Sequence, residues 1–170
     1  MTLDEKRRAY AALSSDAKKE LAEMRAFEGS VEAAKLEVEN ARNEKPPLPD
    51  ISCKIGGSRY LFELGEITDQ DVAANLSKSL RTGESTGGAF SEEEPLIRIV
   101  RKKTTSIYQT DGSPIDLLLH YDKQYPYAPG EYLERYGTDI EAALIPNGPF
   151  SRIWIYDSWT KSILWQTLSR

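Results

Sequence analysis

The stretch from Pro49 to Ile67 constrains the fold more than any other, because it alternates twice around a pair of glycines. Ile51, Cys53 and Ile55 alternate before Gly56-Gly57, and Tyr60, Phe62 and Leu64 alternate after it. A period of two predicts strands, and adjacent glycines supply the positive φ angles of a two-residue hairpin turn. Two acids stand where a hairpin has no use for them. Asp50 opens the first strand behind a proline, and Glu63 lies inside the apolar run of the second. A carboxylate at the centre of a half-buried strand is costly unless it is paired or holds a metal. Asp50 and Glu63 are therefore the first candidates for chemistry.

The chain after the hairpin predicts a crossover. Thr68 caps a short helix over 68–81, with Val72, Leu76 and Leu80 on one face. Residues 82–89 form a glycine-rich loop, whose Gly87-Gly88 matches no phosphate-loop spacing. Ser91-Glu92-Glu93-Glu94-Pro95 starts a capped helix that the pattern carries to about Tyr108. At about 100° per residue, Leu96, Val100 and Ile107 share one line, and Lys103 falls on it. A lysine on a buried stripe either extends its ammonium to solvent or meets a carboxylate. Ile115 to Tyr121 reads as a strand of a sheet interior. A strand, a helix and another strand make a crossover, so this strand should run parallel to the one carrying Glu63. A Tyr/Pro-rich loop over 123–130, a helix over 131–144 and an aromatic hairpin around Asp157-Ser158 complete the chain.

Residues 3–45 contain no proline and are rich in Ala, Glu, Lys, Leu and Arg, which predicts a long helical arm. Ser14 or Ser15 caps its second helix, and Leu21, Met24, Phe27, Val31, Ala34 and Val38 give a narrow apolar stripe. Gly29-Ser30 is a point of kinking, and Pro46-Pro47-Leu48-Pro49 ends the helix. The expected division is an arm over 1–45 and an α/β domain over 46–170. The arm offers a surface for homodimerisation or a protein partner.

A net charge of −5 argues against a chain coated for non-specific nucleic-acid binding, though Arg98, Arg101 and Lys102 form a local basic edge. No run of about 18 apolar residues exists, so no membrane partner is expected. The charged N-terminus is not followed by an apolar segment, which predicts no secretory signal. One cysteine and one histidine make neither a disulfide framework nor a zinc site, and a cytoplasmic location is expected. Cys53 is read as a buried thiol, and His120 as a core or edge histidine.

A Pro-Asp pair, a strand turn and an acid within an apolar strand resemble the PD-(D/E)XK nuclease-like superfamily. The pattern stands here as Pro49-Asp50, twelve intervening residues, then Glu63-Leu64-Gly65, and the likeness extends over residues 49–122. The resemblance implies a restriction-endonuclease-like core, a mixed sheet flanked by helices. It implies metal-dependent hydrolysis of DNA or RNA, with Asp50 and Glu63 holding Mg²⁺ or Mn²⁺ and a lysine steadying the developing charge. Arg98, Arg101 and Lys102 would then bind the nucleic-acid backbone. The sequence departs from the family pattern twice. Gly65 occupies the usual lysine position, and two antiparallel strands, rather than three, are visible before the crossover helix. Lys103 would fill the first gap, as helix lysines do in some members, and Glu20 or Glu23 would complete the shell. A catalytically inactive nuclease-like fold, acting as a protein-binding or structural module, is the alternative.

Overall fold

The Gly56-Gly57 turn is formed as its residues require, with φ of 58° and 80°, and it joins the two innermost strands of the hairpin in tight register. The computed structural model describes residues 1–67, 95–121 and 148–167. Their elements are α1 (Leu3–Ala11), α2 (Ser15–Ala33), β1 (Glu39–Asn43), β2 (Ile51–Ile55), β3 (Ser58–Glu66), α3 (Pro95–Thr104), β4 (Ile115–Tyr121), β5 (Arg152–Asp157) and β6 (Ser162–Gln166). The helices expected at 68–81 and 131–144, the loops at 82–89 and 123–130, and the capped start at Ser91 lie outside the described residues.

The strands form one mixed sheet in the order β1-β2-β3-β4-β5-β6. β1, β2 and β3 are antiparallel, β3, β4 and β5 are parallel, and β6 returns antiparallel to β5. The expected parallel pairing of β3 and β4 is present, with Glu63 level with Leu117. Apolar side chains on both faces of the central strands bury two cores. On one face Ala26 and Phe27 of α2 pack on Ile51, Cys53, Phe62, Leu64, Leu118 and Trp154. Phe62 meets Phe27 and Trp154 edge-on, at ring separations of 5.0 and 6.3 Å. On the other face Leu96 and Val100 of α3 pack on Leu117, Leu119, Ile153 and Ile155. The described helices and sheet make an α/β layering, helix on sheet on helix.

The helical arm is shorter than its composition predicts. Ser14 caps α2 as expected, its Oγ accepting from Ala17 N. The helix stops at Ala33 in a Schellman turn: Lys35 takes φ 53°, Leu36 N donates to Val31 O and Lys35 N to Glu32 O. β1 follows, so residues 39–43 belong to the sheet rather than to a helix. It is an edge strand, and four of its five residues are exposed, so it carries no alternating pattern to betray it. The expectation of two strands before the crossover is thereby corrected to three. Gly29 does not interrupt α2, which runs unbroken from Ser15 to Ala33. A Cβ there would stand 2.3 Å from Tyr156 Oη, so glycine is needed for close approach to the sheet.

α3 also ends earlier than its pattern implies. Thr104 Oγ1 donates to Val100 O, and Thr105 and Ser106 hydroxyls donate to Lys102 O. These hydroxyls compete with the helix ladder and close it four residues before Tyr108. Ile107 is consequently 94% exposed rather than part of the buried line. Leu96 and Val100 keep their predicted places, and with them Lys103.

Candidate functional site

Three of the residues picked from sequence converge beside the C-terminal half of β3. Strand alternation sends Phe62 and Leu64 towards α2, and therefore Glu63 and Gly65 towards α3. Glu63 is only 8% exposed, and the Lys103 ammonium reaches its Oε1 at 2.5 Å. The mid-strand acid and the lysine on the buried stripe thus account for each other. Asp50 stands just before the β2–β3 pairing, and its Oδ2 accepts from Leu64 N at 2.8 Å. That bond satisfies a strand N–H beyond the reach of β2 and fixes the carboxylate at the site's edge.

The electrostatics follow from crowding two acids around one lysine. Burial, and then the charge of Asp50, push the Glu63 carboxyl above its usual range, with Lys103 opposing both. Glu23 of α2 behaves alike, raised by burial and by Asp50 and opposed by Lys19, whose ammonium lies 3.2 Å away. Of the two helix acids considered from sequence, Glu23 therefore faces the pair. Glu20 points to Lys45, 3.6 Å from its ammonium.

A cleft of about 610 Å³ opens beside this region between α2 and α3, with Lys103 on its wall and Asp50 and Glu63 behind it rather than lining it. Its walls include Lys18, Lys19 and Glu23 from α2, Arg98, Lys102 and Lys103 from α3, and Gly65, Glu66 and His120 from the sheet. Arg98 and Lys102 of the expected basic edge therefore lie on the cleft. Arg101 is exposed and is not among the side chains lining it. His120 is buried at 3% exposure, as a core histidine should be.

Tyr108 and Lys19 belong to the site's surroundings although sequence reasoning passed over both. Tyr108 Oη donates to Lys103 O at 3.2 Å, and its ring rests on Phe150 at 5.6 Å. Burial and the charge of Glu63 push the phenol well above its usual value. Its signal was hidden by the assumption that α3 continued through it. Lys19 carries no signal of its own in sequence, since i,i+4 Lys–Glu pairs are common on helix surfaces.

Among the described residues no group of three His, Cys, Asp and Glu side chains gathers closely enough to hold a metal ion. The donor set that remains is Asp50 and Glu63, two carboxylates near enough for the charge of Asp50 to add to burial in raising Glu63. Such an oxygen-only pair fits Mg²⁺ or Mn²⁺, which are held by one or two carboxylates and keep several waters. It does not fit a closed zinc centre. No helix of the described residues is long and apolar enough to cross a membrane. Comparisons with protein-family models, curated proteins and solved structures found no match.

Proposed function

We propose that this chain is a metal-dependent phosphodiesterase acting on nucleic acid, a divergent member of the PD-(D/E)XK nuclease-like superfamily. One observation carries the reading. A Cβ at position 65 would lie 2.9 Å from Leu119 Cδ2, 3.2 Å from Ile99 Cγ2 and 3.9 Å from Lys103 Cε. A side chain at the usual lysine position would crowd Leu119 and Ile99, while Lys103 of α3, whose Cε lies beside that point, delivers its ammonium to Glu63 instead. The order of three antiparallel strands, helix and parallel strand supports the same reading, because it closes the second departure from the family pattern.

Asp50 and Glu63 would hold Mg²⁺ or Mn²⁺, with Glu23 completing the acidic surround. The ion, when bound, would activate water and offset charge at the phosphate under attack. Lys103 favours the ionised form of Glu63 and holds it in place, and its remaining N–H bonds are available to the developing phosphate charge. Leu64 N holds Asp50 in the orientation its role requires. Lys102 and Arg98 supply positive charge along one side of the cleft for the substrate backbone.

A second reading rests on the ion pair itself. Glu63 already has a counter-ion, which suits a nuclease-like fold without catalysis, acting as a protein-binding or structural module. The exposed Leu3 and Tyr10 of α1 would then be its partner surface, or a dimer contact. Cleavage of single- and double-stranded DNA and RNA with Mg²⁺ or Mn²⁺ separates the two readings. Metal-dependent cleavage that disappears in Glu63→Gln supports the enzyme. No cleavage, with no metal binding by calorimetry, supports the module.

A further inference from the structure

The wall of the cleft opposite α3 is built from one face of α2. Lys18, Lys19, Ala22 and Glu23 line it, a spacing of i, i+1, i+4 and i+5 that puts all four on one side of a helix. Ala22, the smallest of them, leaves the groove open at its middle. The two charged partners on this wall face in opposite directions. The Glu23 side chain is 12% exposed and the Lys19 side chain 70%, so the carboxylate turns inward and the ammonium stands at the rim.

An ordinary surface i,i+4 pair has both heads in water and contributes a few tenths of a kcal/mol. This pair does something else. Its acid lies within the field of Asp50, and its lysine within the fields of Asp50 and Glu63, residues that come from other elements of the sheet. Lys102 stands exposed on the α3 side of the same groove. The chain carries a net charge of −5, yet the two helical walls of this groove carry five cations, Lys18, Lys19, Arg98, Lys102 and Lys103. The Lys18 ammonium is already committed to α1, donating to Ala11 O at 3.2 Å. Lys19 is the cation of the α2 wall that a ligand can recruit by exchange with Glu23.

We propose that the nucleic-acid backbone lies in the groove between α2 and α3, and that Lys19 takes a phosphate of the strand from the α2 wall while Lys102 takes one from the α3 wall. The inference rests on the nucleic-acid reading above but not on catalysis. Contacts from both walls place the strand across Gly65, Glu66 and Lys103, the partner of Glu63, whereas the α3 edge alone would let it lie outside the groove. Basic residues that position a backbone carry no sequence information, so this groove binds without strong sequence preference.

The test is binding of fluorescein-labelled single-stranded DNA and RNA in EDTA, followed by anisotropy from 50 to 200 mM salt. Lys19→Gln and Lys102→Gln are each expected to weaken binding roughly fivefold near 0.1 M salt and to reduce the salt slope by about 0.7. Lys19→Arg should keep both near the wild-type values. Lys54→Gln, an exposed lysine of β2 outside the groove, should change neither. Lys19 is exposed enough that its variants will fold, and a thermal melt of each checks this. The proposal is overturned if Lys19→Gln binds with the wild-type affinity and slope, or if the wild type binds no oligonucleotide. Cleavage by a chain indifferent to Lys19 would sink this inference and leave the nuclease reading standing. Binding through Lys19 and Lys102 without cleavage would do the reverse.

Discussion

Replacing Lys103 with methionine keeps the side chain's apolar stem and removes only the charge that faces Glu63. Breaking a fully buried pair by deleting one partner costs about 3–5 kcal/mol, whereas an exposed pair is worth at most about 1 kcal/mol. Glu63 and Lys103 side chains are 10% and 24% exposed, which places the pair nearer the buried limit. Protonation of Glu63 offers an escape and caps the loss, so the expected cost at pH 7 is about 2–3 kcal/mol. For a chain of this size that lowers Tm by roughly 4–12 °C. The pH dependence carries the argument. Glu63 already titrates above its usual range in the fold. The penalty on its ionised form is therefore absent below the ordinary carboxylate range and fully felt once pH rises past the folded value. Without Lys103 that value moves higher still. The difference between variant and wild type should be largest at neutral pH and shrink as pH falls towards about 5. Urea unfolding followed by tryptophan fluorescence at pH 5, 6 and 7 measures it. Adding Glu63→Gln to the variant removes the stranded charge and should recover about 1 kcal/mol or more, a coupling that a double-mutant cycle reads directly. A loss under about 0.5 kcal/mol, an equal loss at pH 5 and 7, or strictly additive variants would refute the reasoning.

Two further outcomes test the packing. Gly29→Ala should destabilise by about 1–3 kcal/mol, because the new Cβ meets Tyr156 Oη at 2.3 Å, and Tyr156→Phe should relieve part of the loss. Helix propensity alone predicts the opposite sign, a gain of up to about 1 kcal/mol, so a denaturation curve decides between the two. Burial, with Asp116 nearby, pushes the Cys53 thiol up to about 11, and the side chain is 3% exposed. Iodoacetamide at pH 8 should therefore label it only on unfolding, and rapid labelling of the native chain would contradict its place in the core.

Much of the site was legible because its oddities are local. Glu63 interrupts the apolar run of its own strand, and Lys103 violates the stripe of its own helix, so each announces that it needs a partner. Asp50 was legible as an acid behind a proline. What its side chain does for Leu64 N was not, since that bond joins residues fourteen positions apart in the chain. Asp116 hid inside a strand read as nearly continuous in its apolar residues. It is fully buried, with Arg152 Nη2 at 2.8 Å and Trp154 Nε1 at 3.0 Å from Oδ2, a pairing across two strands that no spacing reveals. β1 was missed for the opposite reason. Its residues are mostly exposed and carry no apolar alternation, and only backbone bonds to β2 make them a strand.

By itself the sequence determined the hairpin, the buried parallel strand, the apolar stripe of α3 and the cap of α2. All of these arise from periodicity and turn chemistry within a dozen or so residues. Only the tertiary structure decided where helices stop, which edge strand joins the sheet, and that α2 brings Glu23 and Lys19 over the acids of β2 and β3. Those outcomes depend on hydroxyls competing for helix carbonyls, on a Schellman turn without glycine, and on charges brought together from distant parts of the chain. Local pattern fixes which face of an element is apolar; the meeting of polar groups across elements is settled by packing.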